Sequence, residues 1–238
     1  MHLISTQLKQ LGRDSLLLFL VIYPFILTII GRILVPIITD ATLTDTFNLA
    51  NHYPAIMVFF VIMNPIIFGA IVGLMLLDER ENNVISAIQI LPIKFSQYLL
   101  SKATLFTVLS IASGIIVTYS IDLYYVPFIA SLFINIVASL GVFFGMLLVN
   151  LFASNKVEGF ATMKGSGFLL VIPVVALYIP APFKYLCALA PAYWPSMALA
   201  SYSGNISVNV WLFLVTGTIY ILVLSYFMYK IILKKLLS

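Results

Sequence analysis

Six long apolar segments constrain the fold of this 238-residue chain more than any other feature. A helix that crosses the hydrocarbon layer needs about 20 mostly apolar residues, because each residue advances it by roughly 1.5 Å. The segments are continuous rather than alternating, which favours spanning helices over a β-barrel. The sequence therefore predicts an all-helical membrane bundle, a single domain over residues 1–238. Its six predicted spans are 15–38, 53–77, 95–119, 126–152, 165–181 and 208–230.

The composition excludes an ordinary water-soluble domain. Hydrophobic residues make up 63% of the chain and charged residues only 8%, whereas about a quarter of the residues are charged in soluble domains. Water cannot be the main solvent of such a chain.

Positive residues fall unevenly on the two sides of the predicted bundle. With a cytosolic amino terminus, most of the twelve Lys and Arg residues lie on the cytosolic side. They are Lys9, Arg13, Arg80, Lys94, Lys102, Lys156, Lys164, Lys230, Lys234 and Lys235. Only Arg32 and Lys184 lie outside, so the positive-inside rule places both termini in the cytosol of a multi-pass protein of the bacterial plasma membrane. Topology thus explains the net charge of +4, and no nucleic-acid partner is expected.

The loop between the second and third predicted spans gathers charge, an amphipathic stretch and a proline. Val84, Ile88 and Leu91 recur at helical spacing, which predicts a short helix lying flat at the membrane surface. Pro92 is expected to end that helix. Its start is expected at the acids of the loop, because a helix dipole favours negative charge there; they are Asp78, Glu79 and Glu81. A solvated loop with ordinary capping acids is the alternative.

Glu79-Arg80-Glu81, followed by Leu91-Pro92 and by Lys102 in the next span, resembles the signature after the second helix of type-2 ABC exporter permeases. In that family the pattern is roughly E-R-E-x-G-T, a short apolar helix, a proline and a lysine. Residues 155–160 (NKVEGF), 164–165 (KG) and 191–195 (PAYWP) resemble the second half of the small six-span bacterial permeases, including drug and fluoroquinolone export subunits. Asn82-Asn83 stands where the family has a small residue and a glycine.

The resemblance implies that the first cytosolic loop carries a coupling helix, which seats in a groove of a separate ATP-hydrolysing subunit. The residues expected in this contact are Asp78, Glu79, Arg80, Glu81, Ile85, Ile88, Leu91 and Pro92. The second cytosolic loop, with Lys156 and Glu158, would brace the first loop or make a smaller contact. Ordinary interfacial charge is the alternative for these two residues.

The resemblance also implies a set of partners and a mode of action. Two copies of a cytosolic ATP-binding cassette subunit would bind ATP and Mg, and a second copy of this permease, or a related one, would complete the pathway in the membrane lipid. The chain itself is expected to bind no cofactor and no metal, and it contains no G-x-x-x-x-G-K-[ST] phosphate loop. The expected function is export of an apolar or amphipathic drug, peptide or lipid-like molecule by alternating access.

Reactive groups that would indicate an enzyme are not clustered in the sequence. His2 and His52 are predicted on opposite sides of the membrane, so they cannot share one metal ion. A membrane enzyme is disfavoured because no cluster of acids lies within a span. The alternative function is that of an ATP-independent membrane protein, such as a small channel or an assembly or immunity factor.

Three polar residues in the predicted spans are candidates for the substrate pathway: Arg32, Asn64 and Asn135. An amide in hydrocarbon needs a hydrogen-bond partner, so pairing between helices is the alternative for both asparagines. Arg32 lies near the outer end of its helix, where it either reaches the headgroups or lines the exit.

Glycines and prolines predict two further features. Two G-x-x-x-G pairs predict close helix contacts, either within one subunit or between two; they are Gly69 with Gly73 and Gly141 with Gly145. Five prolines between positions 173 and 195 predict short external or re-entrant helices after the fifth span. Tyr193 and Trp194 are expected there at headgroup level.

Overall fold

The computed structural model describes residues 12, 15–44, 47–85, 95–204 and 207–237, and these are helical with short connections. The α-helices whose two ends are described are α1 (Ser15–Thr42), α2 (Tyr53–Glu81), α3 (Phe95–Ile121), α4 (Phe128–Ser139), α5 (Gly141–Phe152), α6 (Lys156–Ser166), α7 (Phe168–Val175), α8 (Tyr193–Ala200) and α9 (Val210–Leu237). Three short 3-10 helices accompany them, at Leu49–His52, Phe183–Leu189 and Ser201–Ser203.

Six stretches of the described chain are long and apolar enough to cross a membrane. They are Val21–Thr42, Leu49–Glu81, Ser96–Ile121, Phe128–Phe152, Lys156–Val175 and Val210–Lys234. The predicted all-helical bundle of six spans is thereby confirmed. The fourth span is α4 continued by α5, and the fifth is α6 continued by α7.

Several span ends differ from the sequence prediction, and two of them border the charged loops. The second helix continues to Glu81 instead of ending at Leu77, because the charged residues that follow include good helix formers and no Gly or Pro. The fifth begins at Lys156 instead of Gly165, because Asn155 caps the helix there by accepting a hydrogen bond from the Glu158 N–H.

The second span forms the centre of the bundle. Of its most apolar window, 78% is buried, against 22% for the first and sixth spans. α2 packs against α1, α3, α5, α7 and α8. Both large apolar clusters of the core include its residues, among them Phe68 and Met57. A displacement of α2 would therefore disturb both large clusters of the core.

The G-x-x-x-G pairs are used within the subunit. α2 crosses α5 so closely that a Cβ at Gly69 would lie 2.8 Å from the Val142 carbonyl oxygen and 3.1 Å from Gly145 Cα. A Cβ at Gly73 would meet the Val149 side chain at 2.8 Å. Backbone contact of this kind requires glycine. Packing between the second and fourth spans therefore explains Gly69, Gly73 and Gly145, whereas a Cβ at Gly141 would meet Pro65 Cβ at an ordinary 3.5 Å.

The proline-rich segment after the fifth span breaks into short helices, as predicted. The 3-10 helix Phe183–Leu189 and α8 are joined by a short turn. Tyr193 is fully buried and packs with Ala176 and Met197, because α8 folds back against α9, α2 and α4. Its expected position at headgroup level stays a prediction.

Candidate coupling site at the end of the second span

The charged run of the first loop is the last turn of α2. The helix is unbroken from Tyr53 to Glu81, so the prediction that Asp78, Glu79 and Glu81 open a separate helix is wrong. Carboxylates at the carboxyl end of a helix are disfavoured by its dipole. Partners from other helices offset this effect, since Glu79 binds Lys102 and Glu81 binds the Lys156 N–H.

Two asparagines end α2 and turn the chain. The Asn82 side-chain amide donates to the Asp78 carbonyl oxygen at 2.8 Å. Asn83 has a φ of 57°, a left-handed conformation that asparagine tolerates better than most residues and that glycine adopts freely. Asn83 therefore suits the position where the E-R-E-x-G-T signature has glycine.

Helical backbone resumes directly after this turn, at Val84 and Ile85. Ile85 is 6% exposed and packs with Leu76, Tyr98 and Leu99, which fixes the start of the loop against α2 and α3. The remaining residues expected in the coupling helix, Ile88, Leu91 and Pro92, lie outside the described residues.

A buried ion pair joins α2 to α3 beneath this loop. Lys102 Nζ donates to Glu79 Oε1, and the two residues are 1% and 6% exposed. The Lys102 ammonium also lies 5.2 Å from the centroid of the Tyr98 ring. Because removing water from both charges is costly, such a pair is stable only while both partners are present. The two ends of the 82–94 connection are thus held together by charge.

The second carboxylate oxygen of Glu79 makes the stability of the pair depend further on Lys102. Within the described chain, Glu79 Oε2 is buried and accepts no hydrogen bond. Any loss of Lys102 would leave a buried carboxylate with neither charge compensation nor full hydrogen bonding.

The connection between the fourth and fifth spans braces the end of α2. The Lys156 backbone N–H donates to Glu81 Oε1 at 2.9 Å, and Lys156 Nζ lies 3.6 Å from Asp78 Oδ1. Lys156 is the first residue of α6, so Glu81 sits at a helix amino terminus, where the dipole favours an anion. Two carboxylates of α2 therefore hold the start of the fifth span.

Glu158 has a local role in the same turn. Its carboxylate accepts the Ser154 N–H at 2.7 Å and the Asn155 side-chain amide at 2.9 Å, while Asn155 Oδ1 accepts the Glu158 N–H at 2.8 Å. This reciprocal pattern is similar to a capping box, with the Ser154 N–H in place of the N–H of the capping residue, and it fixes where α6 starts.

The surface left open at this end is polar and continuous with the loop. Glu81, Asn82, Asn83 and Val84 are exposed, and Arg80 is half-buried. A partner that approaches this end would contact charged and amide groups. The end of α2 that carries these groups is held to α3 and α6. The arrangement is suited to transmitting force.

The intramembrane asparagines are engaged between helices. Ser113 Oγ donates to Asn64 Oδ1 at 2.9 Å, and the Asn64 amide donates to the Phe60 carbonyl oxygen at 3.0 Å. The Asn135 amide donates to the Ser131 carbonyl oxygen at 2.9 Å. A Cβ at Gly114 would lie 2.1 Å from Asn135 Oδ1, so this side chain fills the space beside Gly114.

Arg32 binds across the opposite end of the bundle. Its Nη1 donates to the Ser120 carbonyl oxygen, one residue before α3 ends at Ile121. A cation at a helix carboxyl terminus is favoured by the dipole and satisfies a free carbonyl.

An apolar cavity lies between α2, α5, α7 and α8. Its free volume is about 40 Å³, and no charged residue lines it. Its walls include Pro65, Phe144, Leu148, Leu169 and Pro191. Arg32, Asn64 and Asn135 do not line this cavity, and a role for them in a pathway stays a prediction.

Sequence reasoning missed three features of this region. It counted Lys102 as a free cytosolic cation, it assigned no role to Tyr98, and it did not identify the cavity. The lysine of the E-R-E signature was the available signal for Lys102. The small residues of α2 and α5 were the available signal for the cavity, because they leave room beside Pro65. Among the described residues, no three His, Cys, Asp or Glu side chains are grouped as metal ligands.

Comparison with known proteins gives a family match over most of the chain. Residues 7–229 match the family described as Fluoroquinolones export permease protein Rv2686c-like. The chain is 29% identical over 226 residues to Fluoroquinolones export permease protein Rv2686c of Mycobacterium tuberculosis (strain ATCC 25618 / H37Rv), with 92% of this chain and 87% of that protein covered. Fluoroquinolones export permease protein MT2760 of Mycobacterium tuberculosis (strain CDC 1551 / Oshkosh) matches with the same identity and coverage. No solved structure matches the chain significantly.

Proposed function

Because the chain belongs to the Rv2686c-like family of fluoroquinolones export permease proteins, we propose that it is the membrane subunit of an exporter driven by a separate ATPase. Two ATP-binding subunits would close in the cytosol, each against the 78–94 region of one permease. Two permeases would enclose the pathway, and their spans would shift between inward and outward arrangements.

The buried Glu79–Lys102 pair is the observation that carries this proposal. A coupling element works only if force applied to it reaches the spans instead of bending the loop. Here the start of the loop is fixed by Ile85 in an apolar cluster, and the loop is closed by an ion pair between α2 and α3. Since α2 is the most buried span, motion at its charged end would reach the whole core.

Charge on the exposed rim supports docking of a cytosolic partner. Arg80 and Glu81 place opposite charges side by side next to the exposed Asn82 and Val84. Charged rims steer association, while apolar contacts hold the complex. The contact from Glu81 to Lys156 would pass the same motion to the fifth span.

Energy from a partner is proposed because this chain has no phosphate-binding loop of the G-x-x-x-x-G-K-[ST] type. The orientation that presents the loop to such a partner, with both termini in the cytosol, follows from the distribution of Lys and Arg.

The proposed substrate is apolar or amphipathic. The cavity beside α2 is lined almost entirely by apolar side chains, with Ser166 as its hydroxyl-bearing residue. The relatives are named as fluoroquinolones export permeases, so a fluoroquinolone is the first compound to test.

Co-purification tests the proposed partner. The tagged chain is extracted from its native membrane in mild detergent, and the retained proteins are identified by mass spectrometry. We expect a subunit with ATP-binding cassette motifs whose ATPase activity rises when the permease is present. Transport by the purified chain alone, without any such subunit, would instead support an ATP-independent channel.

A further inference from the structure

A cleft between α3 and α9 opens on the outer surface of the bundle. Its lining comes from both helices and from the fourth span, and the main residues are Leu100, Ala103, Thr104, Phe143, Leu222 and Ser225. The cleft has a free volume of about 270 Å³. The rim residues Leu100 and Leu222 are each 53% exposed, whereas Ala103 at the floor is 3% exposed. The cleft is therefore an indentation with a closed floor.

The floor carries a hydroxyl with no hydrogen-bond partner in the described chain. Ser225 is 3% exposed, and its Oγ neither donates nor accepts there. Thr216 and Thr218 on the same helix donate to the carbonyl oxygens one turn back, at 2.8 Å in each case. A buried donor without a partner is unfavourable. An acceptor on a bound molecule would satisfy it.

A cation stands at the mouth of the cleft. Lys230 is exposed, and its Nζ lies 4.7 Å from the centroid of the Tyr226 ring, which lines the cleft. Ser225 precedes Lys230 by five residues, which is about 7.5 Å of helix rise. A ligand held by both residues needs a negative group at the surface and an acceptor slightly deeper.

The length of the cleft matches one leaflet. It is lined on α3 from Ser96 to Val108, a distance of about 18 Å at 1.5 Å per residue. One leaflet contributes about half of a hydrocarbon layer that is roughly 30 Å thick. No charged side chain lines the cleft, so its interior suits a hydrocarbon chain.

We propose that this cleft binds one acyl chain of an anionic phospholipid. The lipid phosphate pairs with Lys230, and an ester carbonyl below it accepts the hydrogen bond of Ser225. Anionic headgroups are selected because basic residues at the membrane surface are attracted to them. The bound chain packs beside Leu99 and Tyr229, which line the cleft and also contact the Ile85 cluster. The site thus adjoins the base of the 82–94 loop and is independent of any energy source.

Photo-crosslinking on the full-length chain tests the site. Phosphatidylglycerol and phosphatidylcholine with the same diazirine-bearing acyl chain are each incubated with the purified permease, irradiated, and mapped by peptide mass spectrometry. We expect adducts within residues 99–108 and 221–226, formed at least fivefold more from phosphatidylglycerol. Lys230→Gln should reduce this preference about fivefold, the effect of roughly 1 kcal/mol per basic residue.

A control variant at a second lysine distinguishes the loss of headgroup binding from a general effect of removing one positive charge. Lys184 also lies over a tyrosine, with its Nζ 5.5 Å from the Tyr185 centroid, but it does not border the cleft. Lys184→Gln should leave the lipid preference unchanged. Ser225→Ala, which keeps the fold and removes only the hydroxyl, should weaken adduct formation from both lipids.

Three results would overturn the proposal. They are adducts confined to other parts of the chain, equal labelling by the two lipids, and displacement of the label by a fluoroquinolone. The last would identify the cleft as a site for the exported compound.

Discussion

Lys102 and Glu79 form a buried ion pair that fastens α3 to the charged end of α2. The sequence places them 23 residues apart, on either side of the loop between the second and third spans. The pair closes the base of that loop and makes the spans on both sides of it one mechanical unit. Its burial distinguishes it from the partly exposed ion pair of Asp78 and Lys156 nearby, whose side chains are 35% and 27% exposed.

Removing one partner of the buried pair should destabilise the permease strongly. Lys102→Met leaves the Glu79 carboxylate buried and uncompensated, and we expect a loss of about 3–5 kcal/mol in the free energy of unfolding. Combining Lys102→Met with Glu79→Gln should recover most of this loss, because no buried charge is left. Unfolding of purified variants in increasing SDS measures both effects.

The control for this pair is Lys156→Met. Its partner Asp78 is partly exposed, so the change should cost less than about 1 kcal/mol. Equal destabilisation by Lys102→Met and Lys156→Met would contradict the importance assigned to the buried pair.

Docking of the ATPase should depend on Glu81 more specifically than on Glu79. Glu79 is buried, so its charge reversal would disturb folding, whereas Glu81 is exposed. Glu81→Lys is expected to reduce recovery of the ATPase with the tagged permease by tenfold or more, which corresponds to about 1.4 kcal/mol. Quantitative mass spectrometry of the co-purified protein gives the ratio.

Asp40→Lys reverses a matched exposed carboxylate at the opposite end of the bundle. It should leave ATPase recovery at the wild-type level. If Glu81→Lys and Asp40→Lys reduce ATPase recovery equally, the reduction is caused by the change in net charge. That result would contradict the docking role of Glu81.

The left-handed turn at Asn83 should tolerate glycine but not a β-branched residue. Asn83→Gly should retain full stability and ATPase stimulation, because glycine adopts a φ of 57° without steric conflict. Asn83→Val should cost about 1–3 kcal/mol or displace the loop, because valine is strained there. SDS unfolding and permease-stimulated ATPase activity would report the two outcomes, and a neutral Asn83→Val would show that the turn is not required.

Close packing of α2 on α5 should make Gly69 intolerant of any side chain. In Gly69→Ala the new Cβ would clash with the Val142 carbonyl oxygen. Relieving this clash requires a shift of the backbone, which costs free energy. We expect a loss of about 1–3 kcal/mol. Gly165→Ala is the control, since a Cβ there meets nothing within 4 Å and should be neutral or slightly stabilising. A neutral Gly69→Ala would contradict the helix contact.

The number and nature of the spans follow from apolar length alone, but their ends do not. Asp78 to Glu81 looked like the start of a new element because charge usually marks the edge of the hydrocarbon. Glu and Arg are nevertheless good helix formers, so α2 continues through them. Asn83, which departed from the family's glycine, kept the turn because both residues accept the same backbone conformation.

Contacts between residues that are distant in the sequence could not be predicted from sequence patterns. Lys102 was counted as a cytosolic cation from its position, yet it is buried because α3 packs against α2 at the height of Glu79. Tyr193 followed the usual preference of aromatics for headgroups, yet it is buried because α8 folds back into the bundle. In both cases the deciding quantity is how helices pack, and single-sequence periodicity does not contain it.

Transport into sealed vesicles tests the central claim most directly. The permease and its co-purified ATPase are reconstituted into liposomes, and movement of a fluoroquinolone is followed with ATP, with a non-hydrolysable ATP analogue, and with the permease alone. The account predicts transport only with both proteins and hydrolysable ATP, and its loss in the Glu81→Lys variant. Equal transport by the permease alone, without nucleotide, would contradict it.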